Sequence, residues 1–201
     1  MTFEDRRLRW LLIAALVLVA AGFYAFVLRG ADQPKNPTLG APTTSTTEVS
    51  SSAPGDPNRV PLAGFGEAAI TVEPPGAGGT VHQWCLLAAL SVAQRSQGLM
   101  GVTGLQGYSG MAFIYADDVQ HSFFMRNTPI PLTIGWLNKD GGLVSTADMA
   151  PCANKNGCPL YSATGPYRMA IEVPQGQLAA LGIVPGSHTT ITGGCGPRST
   201  P

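Results

Sequence analysis

Nineteen consecutive residues without a charge, Trp10 to Leu28, constrain this chain more than any other feature. At 1.5 Å rise per residue they make a helix about 28 Å long, close to the hydrocarbon thickness of a bilayer. Arg6, Arg7 and Arg9 precede it, which by the positive-inside rule holds residues 1–9 in the cytoplasm and sends the chain beyond Arg29 outside. The sequence therefore predicts a transmembrane helix over 10–28 that anchors the protein in the cell membrane by a single pass. A cleaved signal peptide is the competing reading, because Val19-Ala20-Ala21 offers small residues to a peptidase. Apolar residues continue past that candidate cut to Leu28, which favours the anchor.

Residues 31–60 hold five Pro, five Thr and four Ser and almost no large apolar side chain. Such a stretch cannot bury enough surface to offset its ordering entropy, so 29–60 is expected to be a disordered tether. The extracytoplasmic body, 61–196, is long enough for one domain with its own core, and 197–201 form a tail. With 12 basic and 12 acidic residues in 201, the chain is only 12% charged and carries no net charge. Electrostatic capture of nucleic acid is therefore not expected, and the only membrane partnership implied is the N-terminal helix.

All four cysteines, Cys85, Cys152, Cys158 and Cys195, lie beyond the apolar segment, where an even count reads as two disulfides. Pairing Cys152 with Cys158 closes a short turn and leaves Cys85, taken to lie on the first strand, to reach Cys195 near the end. With no Cys-x-x-Cys and no His at ligand spacing from the pair, zinc and redox sites are the weaker readings, and no cofactor is expected.

The body reads as α+β, predominantly antiparallel β with two short helices. Val81 to Leu90 suits a buried strand, and Ser91 with Gln94 forms a capping box opening a helix over 92–97, stopped by Gly98. Met111, Phe113 and Tyr115 alternate as a strand, and Asp117-Asp118 is expected to turn into a second one over 122–126. Leu132, Ile134 and Trp136 form a strand that returns through a hairpin turn at 138–142. Tyr167 to Val173 is another strand, with Arg168, Ala170 and Glu172 on the face opposite Tyr167, Met169, Ile171 and Val173. A second helical turn over 177–181 and a last strand near 188–192 complete the reading.

The stretches Arg95-Ser96-Gln97-Gly98-Leu99-Met100, Gly110-Met111-Ala112-Phe113, Phe123-Phe124-Met125-Arg126-Asn127-Thr128-Pro129-Ile130-Pro131-Leu132, Tyr167-Arg168-Met169-Ala170-Ile171-Glu172-Val173 and Gly182-Ile183 occur in this order. Together they resemble the domain of unknown function family 192 from about Val81 to Ile191. The resemblance implies a compact, mostly β domain of prokaryotic, often exported proteins, with no established activity to carry over. The segment of Cys152 and Cys158, followed by Tyr161 and Ser162, is similar to a subset of that family, which supports the short disulfide. Three positions depart from the family pattern: Thr133 stands where an Asp is common, Val102 where a basic residue is common, and Phe124 where a Trp is usual. A chemistry that depended on that carboxylate or that indole would be lost here.

Arg126, Asn127 and Thr128 are three polar residues between apolar flanks, and could place a cation, an amide and a hydroxyl at the mouth of a pocket for a carboxylate or sugar. They could equally serve a turn before Pro129. Arg95 could join them or cap the core with its stem. Glu172 or Asp148 with an Arg could act as the acid of an envelope hydrolase. Met100, Met111, Met125, Met149 and Met169, with His121, could hold Cu(I), although Met is ordinary core filler. Asp117-Asp118 with His121 is the nearest approach to a catalytic cluster, and reads as a turn. The expectation is a binding domain for a small envelope ligand, glycan or neighbouring protein. Its candidate site is Arg95, Arg126, Asn127, Thr128 and Glu172, and convergence of these on one cleft would favour it over a scaffold.

Overall fold

The computed structural model describes residues 55–153 and 156–199. The predicted transmembrane helix and most of the predicted tether lie outside them. Among the described residues no helix is long and apolar enough to cross a membrane.

The chain runs through β1 (Gly66–Glu73), β2 (His82–Ala89), α1 (Val92–Gln97), β3 (Met111–Val119), β4 (Phe123–Phe124), β5 (Leu132–Leu137) and β6 (Leu143–Met149). It continues with β7 (Leu160–Tyr161), β8 (Tyr167–Pro174), a 3-10 turn at Ala179–Leu181 and β9 (His188–Gly193). The result is mostly antiparallel β with one short helix, the second expected helix being only that turn. Helix α1 begins where its capping box dictates: Ser91 Oγ accepts from the Gln94 N–H at 3.1 Å, and Gln94 Oε1 accepts from the Ser91 N–H at 2.8 Å. At the β5–β6 turn, Asn138 Oδ1 accepts from the N–H groups of Asp140 and Gly142.

Seven strands form one sheet in the order β6-β5-β8-β3-β2-β1-β9, and β4 pairs with β7 in a separate two-stranded ribbon. Every neighbouring pair in the large sheet is antiparallel except β2 and β3, so the chain between those two must cross over, and α1 lies on that crossover. The sheet curls until its outer strands meet. Gly142 bridges His188, and the Thr189 N–H donates to the Gly141 carbonyl at 3.0 Å. A Cβ on Gly141 would stand 2.1 Å from the Thr189 carbonyl oxygen, so this seam needs glycine.

Curling gives the sheet two buried faces. On one, Ile70, Val72, Leu86, Leu137, Ile171 and Val173 pack with Leu178, Leu181 and Ile183 from the 3-10 turn and its flanks. On the other, Met111, Phe113, Leu132, Ile134, Trp136 and Ala170 pack beneath Leu99, Phe123 and Met125. Burial on both sides explains why β5 is buried at every position although its sequence alternates only partly.

Three expectations need correction. The first strand of the domain is β1, so Cys85 sits on the second. Asp117 and Asp118 lie within β3, in a bulge between Ile114 and Val119, because Arg168 of β8 holds Asp118 at 3.0 Å instead of letting the chain turn. The strand expected over 122–126 is only Phe123–Phe124, because Asn127 takes a left-handed φ of 54° and Pro129 and Pro131 follow.

Candidate functional site

Strand alternation sets Glu172 on the face shared with Ile134 of β5 and Met111 of β3, its cross-strand partners. These neighbours are apolar, and Glu172 is 4% exposed. Its carboxyl makes no hydrogen bond with any described residue, and burial alone pushes it up to about 8. At neutral pH it is therefore mainly the uncharged acid, able to donate one hydrogen bond as well as accept.

Glu172 lines a cleft of about 500 Å3 between α1, the loop that follows it, β3 and β4. Phe113, Tyr115 and Asp117, alternate residues of β3, line one wall. Arg95 of α1 lies over the Tyr115 ring, 4.7 Å from its centroid, and its Nη1 donates to the carbonyls of Leu90 and Ile114. Arg95 thus borders the cleft, held there by its guanidinium on two backbone carbonyls. Tyr115 meets Tyr167 edge-on at 5.6 Å, and the Tyr167 hydroxyl donates to the His121 carbonyl at 2.9 Å. Burial raises both phenols, so neither ionises near neutrality. Thr128, 5% exposed, borders the same cleft, and its hydroxyl has only a long contact of 3.5 Å with the Arg126 carbonyl.

Of the five residues named from the sequence, the fold brings Arg95, Thr128 and Glu172 to this cleft and sends two elsewhere. Arg126 is exposed, stacks on Phe124 at 4.9 Å and borders a smaller depression beside Cys158 and Leu160. Asn127 is exposed and acts through its backbone: its N–H donates to the Cys152 carbonyl and its carbonyl accepts from Gly101, each at 2.8 Å. Asp148 is exposed on β6 and accepts a hydrogen bond from Thr133, whose hydroxyl in turn accepts from the Gly176 N–H. Thr133 pairs with Val173, on the face away from Glu172, so its departure from the family pattern does not touch the cleft. Met111, Met125, Met149 and Met169 are core residues, and of the five methionines only Met100 borders the cleft. Phe113, Tyr115 and Phe123, which line the cleft, read in the sequence only as strand residues and, for Phe113 and Phe123, as part of the family stretches.

The start of β1, away from the cleft lining, carries a second polar cluster that was not anticipated. Arg59, assigned by sequence to the tether, is 3% exposed and binds both carboxylate oxygens of Glu67 at 3.1 Å. Tyr108 and Arg198 also donate to Glu67, and Arg59 reaches the Gly196 carbonyl. The bonds from Arg59 first, then that from Tyr108, hold Glu67 down to about 2. Beside it stands the disulfide Cys85–Cys195, with Cα atoms 5.5 Å apart, and the second disulfide is Cys152–Cys158 at 5.8 Å. Glu67 lies within 4.8 Å of both Cys85 and Cys195 sulfurs, but those sulfurs are bonded to each other and offer no thiolate to a metal.

Fold and cleft together define a small, mostly antiparallel β domain with a cleft bordered by a desolvated carboxyl. The chain belongs to the domain of unknown function family 192, described as an uncharacterized ACR, which matches residues 76–191. The Arg59–Glu67 cluster and Cys195 lie outside that match. Two solved structures share the fold. One, named "putative transcription regulator", from Sinorhizobium meliloti 1021, is 21% identical, with a TM-score of 0.56 over 65% of this chain and 98% of its own. The other, a protein of unknown function from Novosphingobium aromaticivorans DSM 12444, is 29% identical, with a TM-score of 0.56 over 69% and 93%. No curated protein matches the chain.

Proposed function

We propose that the protein is a membrane-anchored binding module whose extracytoplasmic domain holds a small envelope ligand in the cleft beside Glu172. The observation that carries this reading is a carboxyl 4% exposed, without a protein partner among the described residues, bordering a cleft of about 500 Å3. Burying an unpaired polar group costs stability, and a cleft with apolar walls and few convergent polar groups is the usual form of a small-molecule site. Hydrolysis is less well supported. Asp148 is on another face, and Asp117 lies beyond Ile114, itself roughly 10 Å along β3 from Met111, the partner of Glu172. The anchor is supported by the uncharged run 10–28 and by the two disulfides, which suit an oxidising compartment.

Two experiments test the two halves of the reading. A fragment screen read by amide shifts of the 15N-labelled full chain is expected to cluster its changes on Leu99, Phe113, Tyr115 and Glu172. Changes dispersed over the surface would refute the cleft. A reporter enzyme active only outside the cytoplasm, fused after Pro201, is expected to be active and to sediment with membranes. An inactive or soluble fusion would refute the anchor.

A further inference from the structure

Two fixed features of the cleft narrow the chemistry of what it holds. The Arg95 guanidinium is immobilised by two backbone carbonyls at Nη1 and by the Tyr115 ring beneath it. Its Nε and Nη2 have no partner among the described residues, and that edge is the two-donor fork that matches a carboxylate. Deeper in stand the Glu172 carboxyl and the Thr128 hydroxyl, each more than nine-tenths buried, the first unbonded and the second nearly so. The surfaces between, Leu99, Phe113 and Phe123, are apolar.

We propose that the cleft takes a small organic acid with an apolar body, its carboxylate on the free edge of Arg95 and a carbonyl or hydroxyl at its far end on Glu172 and Thr128. This rests on the ligand-cleft reading above. The titratable groups facing Glu172 are Tyr115 and Asp117 from β3, Arg95 from α1 and His121 from the β3–β4 loop, while β4 and β5 bring none. Tyr108, in the α1–β3 loop, is committed to Glu67, and Arg168 of β8 to Asp118. A neutral Glu172 donates a hydrogen bond and leaves an anion unopposed, whereas an ionised one does neither. Binding therefore weakens as pH rises through about 8. Asp117 at the mouth disfavours ligands with a second negative charge.

The test titrates the full 201-residue chain, 15N-labelled in detergent micelles, with three probes built on one ring: 4-hydroxyphenylacetate, 4-hydroxyphenylacetamide and tyramine. The acid is expected to bind at least tenfold more tightly than the amide or the amine at pH 6.5, with shifts at Phe113, Tyr115 and Glu172. Arg95→Lys, which keeps a cation for the two carbonyls but removes the fork, is expected to weaken the acid about tenfold. Glu172→Gln is expected to abolish the loss of affinity between pH 6.5 and 9. Preference for the amide or amine in the same cleft, or acid binding indifferent to Arg95→Lys, would overturn the organic-acid assignment and leave the ligand cleft standing. No shift in the cleft from any of the three would overturn both.

Discussion

Gly110 and Glu172 are pressed together where β3 begins: a Cβ on Gly110 would stand 2.3 Å from the Glu172 carbonyl oxygen and 3.0 Å from Val173 Cγ1. The obstacle is backbone, which cannot swing aside as a side-chain tip does. Gly110→Ala must therefore push β3 away from β8, at a cost of about 1–3 kcal/mol. Because the same peptide carries Glu172, the cleft should deform with it. Urea unfolding is expected to show a lower midpoint for the variant, and amide shifts of Glu172 and Phe113 should move in the native state. An unchanged midpoint would show that the two strands are less tightly apposed.

Burial of Glu172 makes folding depend on pH in a direction opposite to that of most carboxylates. The group titrates near 4.5 when unfolded and near 8 in the fold, so between these values the unfolded chain has released a proton that the native one keeps. Stability contributed by this residue therefore falls as pH rises from about 4.5 to 8, and levels off above. Glu172→Gln removes that slope. Relative to the parent protein, the variant is expected to gain on the order of 4 kcal/mol between pH 4.5 and 8. Urea midpoints of both proteins at the two pH values measure it, and parallel behaviour would mean that Glu172 is ionised and solvated.

Local signals in the sequence located much of this structure, and long-range ones did not. The helix Val92–Gln97 was legible to the residue because Ser91 and Gln94 settle it between themselves. The cysteine pairing was legible from spacing. What failed was any feature decided by a partner far away. Asp117-Asp118 looks like a turn until Arg168, fifty residues later, holds Asp118 in a bulged strand. Strand β1 was missed although Ile70, Thr71 and Val72 favour extended backbone, because its place is set by pairing with β2 and β9. The site was partly legible for the same reason. Polarity singled out Arg95, Thr128 and Glu172, but nothing local could reveal that the neighbours of Thr128, Arg126 and Asn127, turn away, or that Phe113 and Tyr115 form the walls.

The two disulfides should differ in what they contribute. Cys85–Cys195 spans 110 residues and ties the end of the described chain to the centre of the sheet, whereas Cys152–Cys158 spans six. In the chain-entropy account the long loop stabilises by about 4–5 kcal/mol and the short one by about 2. The Cys85→Ser/Cys195→Ser variant is therefore expected to lose roughly twice as much stability as Cys152→Ser/Cys158→Ser, measured by urea unfolding under oxidising conditions. The short bridge has a local effect instead. Its backbone accepts the Asn127 N–H, so its removal should raise hydrogen exchange at Asn127 before it lowers the global midpoint. Equal losses from the two variants would contradict the loop-length argument.

Arg59 and Glu67 make the domain's other pH-sensitive joint, and here the sign is the usual one. Glu67 is held down to about 2, first by Arg59, against 4.5 when free, so its contribution is complete above about 4.5 and disappears as pH falls toward 2. The Arg59 side chain is 1% exposed, and with Glu67 neutralised it would be a buried cation without its carboxylate. Glu67→Gln imposes that state at every pH and is expected to cost about 3 kcal/mol. Since Arg59 also donates to Gly196, and the Ser199 N–H donates to the Pro57 carbonyl at 2.7 Å, the C-terminal segment should loosen with it. The double variant Arg59→Met/Glu67→Leu removes both charges, and is expected to recover most of the loss and to abolish the acid transition below pH 4.5. Acid titrations of the three proteins, followed by hydrogen exchange at Gly196 and Ser199, test this. If the single and double variants prove equally unstable, packing around Arg59 rather than its charge holds Gly196 and Ser199 in place.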